Sequence, residues 1–266
     1  MSCDKRLLHC DESFIHTEQA ISFSNARGDR LAGVLHAPAA KGDQCGAAIL
    51  CHGMDSDKNS AKLIFLSRAL AEVGVATLRF DFSYVGASSG KYEDLTCSGE
   101  VDDLCAYELM QQRYPGKLGI FGSSLGGTVA LLFAAQQPKV AALATLAAPL
   151  HPEEFPKRML TPPQLQQWRE EGLTYYNGRQ LNRTLLEDLE KIDVVAAAKS
   201  IRCPVLILHG DADQVVPVAE AHELNGCLTT KTRLTVYPGA DHRLSDPSVM
   251  RSAMAEALEW LTKHVG

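Results

Sequence analysis

The sequence predicts an α/β fold in which a mainly parallel sheet carries helices on both faces. Six short apolar runs lack the alternation of half-exposed strands, and amphipathic stretches with apolar residues three and four apart lie between them. Strands buried on both faces and alternating with helices pack in this way. With 266 residues and no Pro-, Gly- or Ser-rich linker, a single domain over residues 1–266 is expected.

The first element is an antiparallel hairpin over residues 14–38. There Ile15, Ile21 and Phe23, then Leu31, Gly33 and Leu35, alternate about the turn Asn25-Ala26-Arg27-Gly28-Asp29. The apolar runs at 47–51, 75–80, 118–121, 140–146, 205–208 and 233–237 follow, which brings the expected sheet to eight strands. Helices are expected over 61–72, 99–113, 125–136, 218–225 and 249–264.

One segment breaks this rhythm. Residues 150–199 carry Pro152, Pro156, Pro162 and Pro163, then Trp168 and the pair Tyr175-Tyr176 before Asn177-Gly178. The Asn-Gly step predicts a hairpin over 176–181, preceded by a helix over 161–171 and followed by helices over 184–198. An insertion at this point reads as a small lid, with a crossover helix and a long loop as the alternative.

A formal net charge of -6, with lysines and arginines scattered, argues against a nucleic-acid partner. No apolar run approaches the roughly 20 residues needed to cross a bilayer, and the first residues lack the pattern of a signal peptide. The eight cysteines form no C-x-x-C pair, as suits a reducing compartment, so the chain reads as cytoplasmic. Nine histidines are present without H-E-x-x-H or a Cys/His cluster at ligand spacing, so no metal is expected.

Chemistry concentrates at Gly122-Ser123-Ser124-Leu125-Gly126. This G-x-S-x-G pattern occurs by chance as well, but here a buried strand precedes it and a small-residue helix follows. Ser124, with a glycine two before and two after, is the candidate nucleophile; Ser123 does not fit. A serine hydroxyl needs a base and the base needs an orienting acid. His242 follows the last predicted strand, and His52, His209, His222 and His264 are its competitors. Asp213 follows the strand before that; Asp211, better suited to shaping the turn, and Asp241, a sequence neighbour of His242, compete with it. All three leading residues fall at carboxyl ends of strands, where open α/β sheets bind ligands. The backbone N–H groups of Leu125 and Met54 are the candidate oxyanion donors.

Taken together, Cys51-His52-Gly53-Met54, Arg79-Phe80-Asp81-Phe82, Gly86-Ala87-Ser88-Ser89-Gly90, the elbow at 122–127, His209-Gly210-Asp211-Ala212-Asp213 and Gly239-Ala240-Asp241-His242 resemble the α/β-hydrolase superfamily. Within it the chain resembles bacterial carboxylesterases of the cinnamoyl (feruloyl) type, which carry a small lid. In those esterases the loop after Phe-Asp-Phe commonly holds glycine and histidine; here Ser83-Tyr84-Val85-Gly86 is bulkier. The resemblance implies a serine hydrolase that cleaves carboxylic esters through an acyl-Ser124 intermediate, with no metal or organic cofactor. Serine peptidases, thioesterases and lactone hydrolases share the fold, and a noncatalytic ligand-binding protein is the alternative of another class. Tyr84, Trp168, Tyr175 and Tyr176 are candidate substrate-binding residues, with plain lid core as the other reading of the last three. The expected partner is a small-molecule ester, with no nucleic acid and no membrane; a homodimer stays open.

Overall fold

A hairpin of β1 (Thr17–Ser24) and β2 (Arg30–Ala37) pairs in full antiparallel register from Thr17↔Ala37 to Ser24↔Arg30. The computed structural model of the chain describes residues 16–38 and 46–266, so Phe14, Ile15, Cys3, Cys10 and Cys45 lie outside the described residues. The turn closes because Gly28 adopts φ +87°, a left-handed conformation that side chains resist, and Asn25 N–H donates to the Asp29 carbonyl at 3.1 Å.

The remaining strands of the main sheet are β3 (Ala47–Cys51), β4 (Ala76–Phe80), β5 (Leu118–Ser123), β6 (Ala142–Leu146), β9 (Val205–Gly210) and β10 (Thr232–Tyr237). Two short strands between them, β7 (Leu173–Tyr176) and β8 (Arg179–Asn182), form a separate hairpin. The eight-stranded order is β1-β2-β4-β3-β5-β6-β9-β10, parallel from β4 onward with β2 antiparallel to both its neighbours. This is the architecture the apolar runs predicted.

Successive side chains of a strand face opposite ways, and both faces here are apolar. Ile49, Ile120 and Ile207 enter one core, while Leu50, Phe121 and Leu206 enter the other. The second core is covered by α1 (Ala61–Glu72) and α10 (Pro247–Val265) through Leu63, Leu66, Trp260 and Leu261. Each of these helices starts on a side-chain cap: Ser60 Oγ accepts from Leu63 N–H, and Asp246 accepts from Ser248 N–H at 2.7 Å. The first core is covered by α2 (Cys97–Asp103), α3 (Ala106–Arg113), α4 (Leu125–Gln136), α8 (Val194–Ser200) and α9 (Val218–Cys227).

The sequence pattern predicts one helix over 99–113, whereas the structure breaks it between α2 and α3. Leu104 and Cys105 N–H groups bond only three residues back, to Val101 and Asp102, and this tightened turn re-aims the helix. The break coincides with a tether: the fully buried Asp103 carboxylate accepts from Ser83 N–H at 2.6 Å and from Asn25 and Arg27 at 2.7 and 2.9 Å. Periodicity carries no record of such long-range partners.

Between β6 and β9 the chain forms a 3₁₀ turn (Pro152–Glu154), α5 (Phe155–Met159), α6 (Pro162–Glu171), the β7-β8 hairpin and α7 (Arg183–Leu189) before reaching α8. Helix α6 starts on a reciprocal capping box between Thr161 and Gln164 and stops at Gly172, which has φ +83°. Asn177 and Gly178 both take positive φ, as the tight hairpin turn requires. Among the described residues, no helix is long and apolar enough to cross a membrane.

Candidate active site

Ser124 links the end of β5 to the start of α4 with φ 54° and ψ -127°. A non-glycine residue so placed stores about 1–3 kcal/mol of strain and persists only where its surroundings over-determine it. They do so here. Ser124 N–H donates to the Leu146 carbonyl at 2.8 Å, and its own carbonyl accepts from Gly127 N–H at 2.8 Å. The flanking glycines are there for contact: a Cβ on Gly122 would stand 2.3 Å from the Gly126 carbonyl oxygen, and one on Gly126 would stand 2.2 Å from that of His52. Strand, helix and the β3 loop therefore converge on one serine.

Opposite its hydroxyl, His242 Nε2 lies 2.9 Å from Ser124 Oγ, and His242 Nδ1 lies 2.7 Å from Asp213 Oδ2. Because a carboxylate only accepts, Nδ1 carries the proton and the Nε2 lone pair faces the serine. Asp213 is itself held: Oδ1 accepts from Val215 and Val216 N–H, each at 2.8 Å, and His209 Nε2 lies 3.3 Å from Oδ2. Burial opposes the charge on Asp213, but the hydrogen bonds from His209, His242 and Val216 outweigh it and keep the carboxyl well below its ordinary value.

The competing residues have other partners. Asp211 accepts from Gly239 N–H at 2.6 Å and so ties the turns after β9 and β10 together, while Asp241 accepts from Ser245 N–H and Oγ at 2.8 and 2.6 Å. His52 donates from Nδ1 to the Gly53 carbonyl at 2.8 Å and accepts Phe82 N–H on Nε2 at 3.1 Å. Burial, partly countered by the Gly53 bond, lowers its pKa, so it is a neutral strut between the loops after β3 and β4. His209 donates to the Val216 carbonyl at 2.9 Å, His264 donates to that of Trp260 at 2.7 Å, and His222 is exposed.

Met54 lies in the loop after β3 and Leu125 is the first residue of α4, the two segments that meet at the serine. A Cβ on Gly53 would stand 3.0 Å from that of Ser124, which fixes how closely the β3 loop approaches. Neither the Met54 nor the Leu125 N–H has a hydrogen-bond acceptor among the described residues. Asp81, just beyond β4, braces this loop by accepting from Lys58 N–H at 2.8 Å and from the Lys58 ammonium.

Ser124 and His242 open into a cavity of about 490 Å³. Of the four expected substrate-binding residues, only Tyr176 lines it. Trp168 is fully buried in the core beneath α6, Tyr175 is 52% exposed on the outer face of the β7-β8 hairpin, and Tyr84 is packed on Gly90, where a Cβ would collide with its ring. The alternation of a strand explains the tyrosine pair, since neighbours point to opposite faces. The apolar walls come instead from Phe155, Leu185, Leu189, Val215 and Val216. Phe155 and Leu185 stand in residues 150–199 as apolar positions among prolines and polar residues, a pattern less conspicuous than Trp168 and the tyrosine pair.

Away from this cavity, His16, Glu18 and His36 each bring a ligand-type atom within 4.8 Å of the others. Arg79 Nε donates to His36 Nε2 at 3.0 Å, which leaves the imidazole proton on Nδ1, and Arg68 Nε donates to Glu18 Oε1 at 2.7 Å. Burial and Arg79 push the His36 pKa down to about 4, in keeping with that neutral ring. With its Nε2 lone pair taken by Arg79 and its Nδ1 protonated, the His36 imidazole offers no lone pair to a cation.

Comparison with known proteins agrees with this architecture. The Peptidase_S9 model, the prolyl oligopeptidase family, matches residues 98–266, and the esterase FrsA-like model matches residues 11–164. The structure of Est1E from Butyrivibrio proteoclasticus with ferulic acid bound superposes with a TM-score of 0.80 at 25% identity, covering 91% of this chain and 100% of that one. An esterase domain from a Rhodothermus marinus protein gives 0.74 at 27% identity, covering 94% and 100%. The mitochondrial palmitoyl-protein thioesterase ABHD10 of Bos taurus is 25% identical over 212 residues, or 74% of this chain and 67% of that protein. Each family model spans more than half of the sequence, and together they place it: the chain belongs to the prolyl oligopeptidase family and, over its N-terminal part, to the FrsA-like esterases, and is a hydrolase of the α/β-hydrolase superfamily.

Proposed function

We propose that the protein hydrolyses carboxylic esters through a covalent acyl-Ser124 intermediate. The observation that carries this reading is the hydrogen-bonded chain from Ser124 Oγ through His242 to Asp213, open to an apolar cavity. His242 Nε2 takes the hydroxyl proton as Ser124 Oγ attacks the ester carbonyl, and passes it to the leaving alcohol as the tetrahedral intermediate collapses. A water then repeats the sequence on the acyl-enzyme, releasing the acid and restoring Ser124. Asp213 keeps the imidazole in the required tautomer and stabilises its cation. The unengaged N–H groups of Met54 and Leu125 receive the oxyanion, each contributing about 3 kcal/mol of transition-state stabilisation.

Residues 150–199 act as a lid on this single-domain hydrolase, with Tyr176 and Phe155 facing the acyl group. Scattered free thiols, such as the buried Cys51, Cys97 and Cys203, favour a cytoplasmic setting. Thioester cleavage is the second reading, favoured by the likeness to proteins named palmitoyl-protein thioesterases and by the apolar walls of the cavity. A panel of acyl esters, thioesters, lactones and aminoacyl amides, ranked by kcat/KM beside a Ser124→Ala control, tests the assignment. Esters leading the panel support it; a preference of tenfold or more for amides or lactones contradicts it.

A further inference from the structure

The cations that line the cavity are not treated alike. Arg158 Nη1 lies 2.5 Å from Glu220 Oε1, and His151 stands between Glu153 at 3.1 Å and Glu223 at 3.0 Å. Lys62 and Arg243 line the same cavity, yet among the described residues neither has a carboxylate within ion-pair distance. Among the described residues the Lys62 ammonium donates only to the Arg243 carbonyl, at 3.1 Å. The nearby acids are engaged elsewhere, Asp241 with Ser245 and Asp55 with Asn177 Nδ2 at 2.7 Å.

Lys62 also stands in the first turn of α1, where the helix dipole disfavours a cation and no acidic residue offsets it. Burial first, then the neighbouring Arg243 charge, disfavours its protonated form, with only partial relief from Asp241. Arg243 is exposed and its charge acts on the half-buried Lys62 ammonium, a repulsion that an anion bridging the two would relieve.

Their position relates them to the reacting bond. Arg243 follows His242 directly; the residues after the two cations, Leu63 and Leu244, pack in the core under α1 and α10, whereas Trp168, Leu185 and Leu189 join the core on the other side of the sheet. The imidazole that protonates the leaving oxygen must have the leaving group beside it. We propose that Lys62 and Arg243 form a subsite for an anionic group, a carboxylate or a phosphate, on the leaving alcohol or thiol of the substrate. This rests on the acyl-Ser124 reading and narrows its substrate class to esters with anionic leaving groups.

The test uses para-carboxyphenyl, para-phosphonooxyphenyl and neutral para-carbamoylphenyl butyrates, with phenyl hydrogen glutarate to move the carboxylate to the acyl end. The readout is the ratio of kcat/KM for anionic over neutral ester in the wild-type protein, Arg243→Gln, Lys62→Met and Arg243→Lys. The wild-type ratio should fall about tenfold in the first two variants, the size of one charge-assisted contact, and largely recover in the third. High salt should lower it in the wild type as well, a readout that holds even if a variant fails to fold. The larger of the two anionic ratios tells carboxylate from phosphate. A ratio indifferent to both neutralising substitutions and to salt, with the neutral ester still turned over, overturns the subsite and leaves the esterase intact. An equal fall for phenyl hydrogen glutarate overturns its leaving-group placement. No ester turnover and no labelling of Ser124 by a fluorophosphonate removes the esterase reading and the subsite with it.

Discussion

His242 Nε2 stands 2.9 Å from Ser124 Oγ although 118 residues separate the two in sequence. The contact depends on a serine strained at φ 54° and on a turn held by Asp241, which accepts from Ser245 on both its backbone and its hydroxyl. A hydroxyl and an imidazole in this relation are placed to exchange a proton, and Asp213 hydrogen-bonds the imidazole from its far side.

Replacing Asp213 by Asn should therefore lower kcat for an ester by about four orders of magnitude, because the amide permits the wrong tautomer. It should also alter acid stability. The folded-state pKa of Asp213 lies below its ordinary 3.8, so its stabilisation is present above that pH and is lost as pH falls toward the folded value. Urea unfolding between neutral pH and acid should show a shallower loss in the variant than in the wild type. Parallel curves would contradict this.

Gly126→Ala should destabilise the protein by about 1–3 kcal/mol, since the added Cβ meets backbone rather than a movable side chain. It should also lower activity, because the atom it displaces belongs to the loop carrying Met54. Gly226→Ala in α9 is the matched control: nothing lies within 4 Å of its Cβ, and the change should stabilise by about 0.5–1 kcal/mol. Equal thermal midpoints for the two variants would refute the close-approach account.

Glu100 is 2% exposed, and among the described residues neither carboxyl oxygen has a hydrogen-bond partner. Burial, then the charges of Asp103 and Asp188, hold its pKa well above the ordinary carboxyl value. A carboxyl raised in this way binds its proton more tightly folded than unfolded, so it weakens the fold as pH rises above about 4.5 toward the folded value. Glu100→Gln should raise stability at pH 8 by about 1–3 kcal/mol and far less at pH 4. A gain independent of pH would show that charge is not the cause.

Tyr176→Ala and Trp168→Ala should separate the cavity wall from the core beneath residues 150–199. The first should change the order of preference among acyl chain lengths with little loss of stability. The second removes a fully buried indole, and should cost about 3–5 kcal/mol while leaving that order as it was. Specificity constants for acetyl through octanoyl esters, read beside thermal unfolding, decide the matter.

The framework of this fold is written locally, which is why it could be read. Uninterrupted apolar runs mark strands buried on both faces, and the glycines at 122 and 126 mark a close approach that no other residue allows. That Ser124, Asp213 and His242 come together was legible because each ends a strand, and strand ends meet at one edge of a parallel sheet. What escaped local reading depends on distant partners. The break between α2 and α3 goes with the tethering of Asp103 by Asn25, Arg27 and Ser83, and the positions of Tyr84, Trp168 and Tyr175 follow from packing that composition does not encode. The start of segment 150–199 is likewise fixed from afar, by Glu220 accepting the Leu150 and His151 N–H groups at 2.7 and 3.0 Å.

The central claim is that Ser124 becomes acylated. Intact-protein mass spectrometry after brief exposure to an aryl butyrate, followed by peptide mapping, tests it most directly. The wild-type protein should gain a single butyryl group on the peptide containing Ser124 and lose it with time, while Ser124→Ala should gain none and turn over no ester. Butyrylation at another residue, or undiminished turnover by Ser124→Ala, would contradict it.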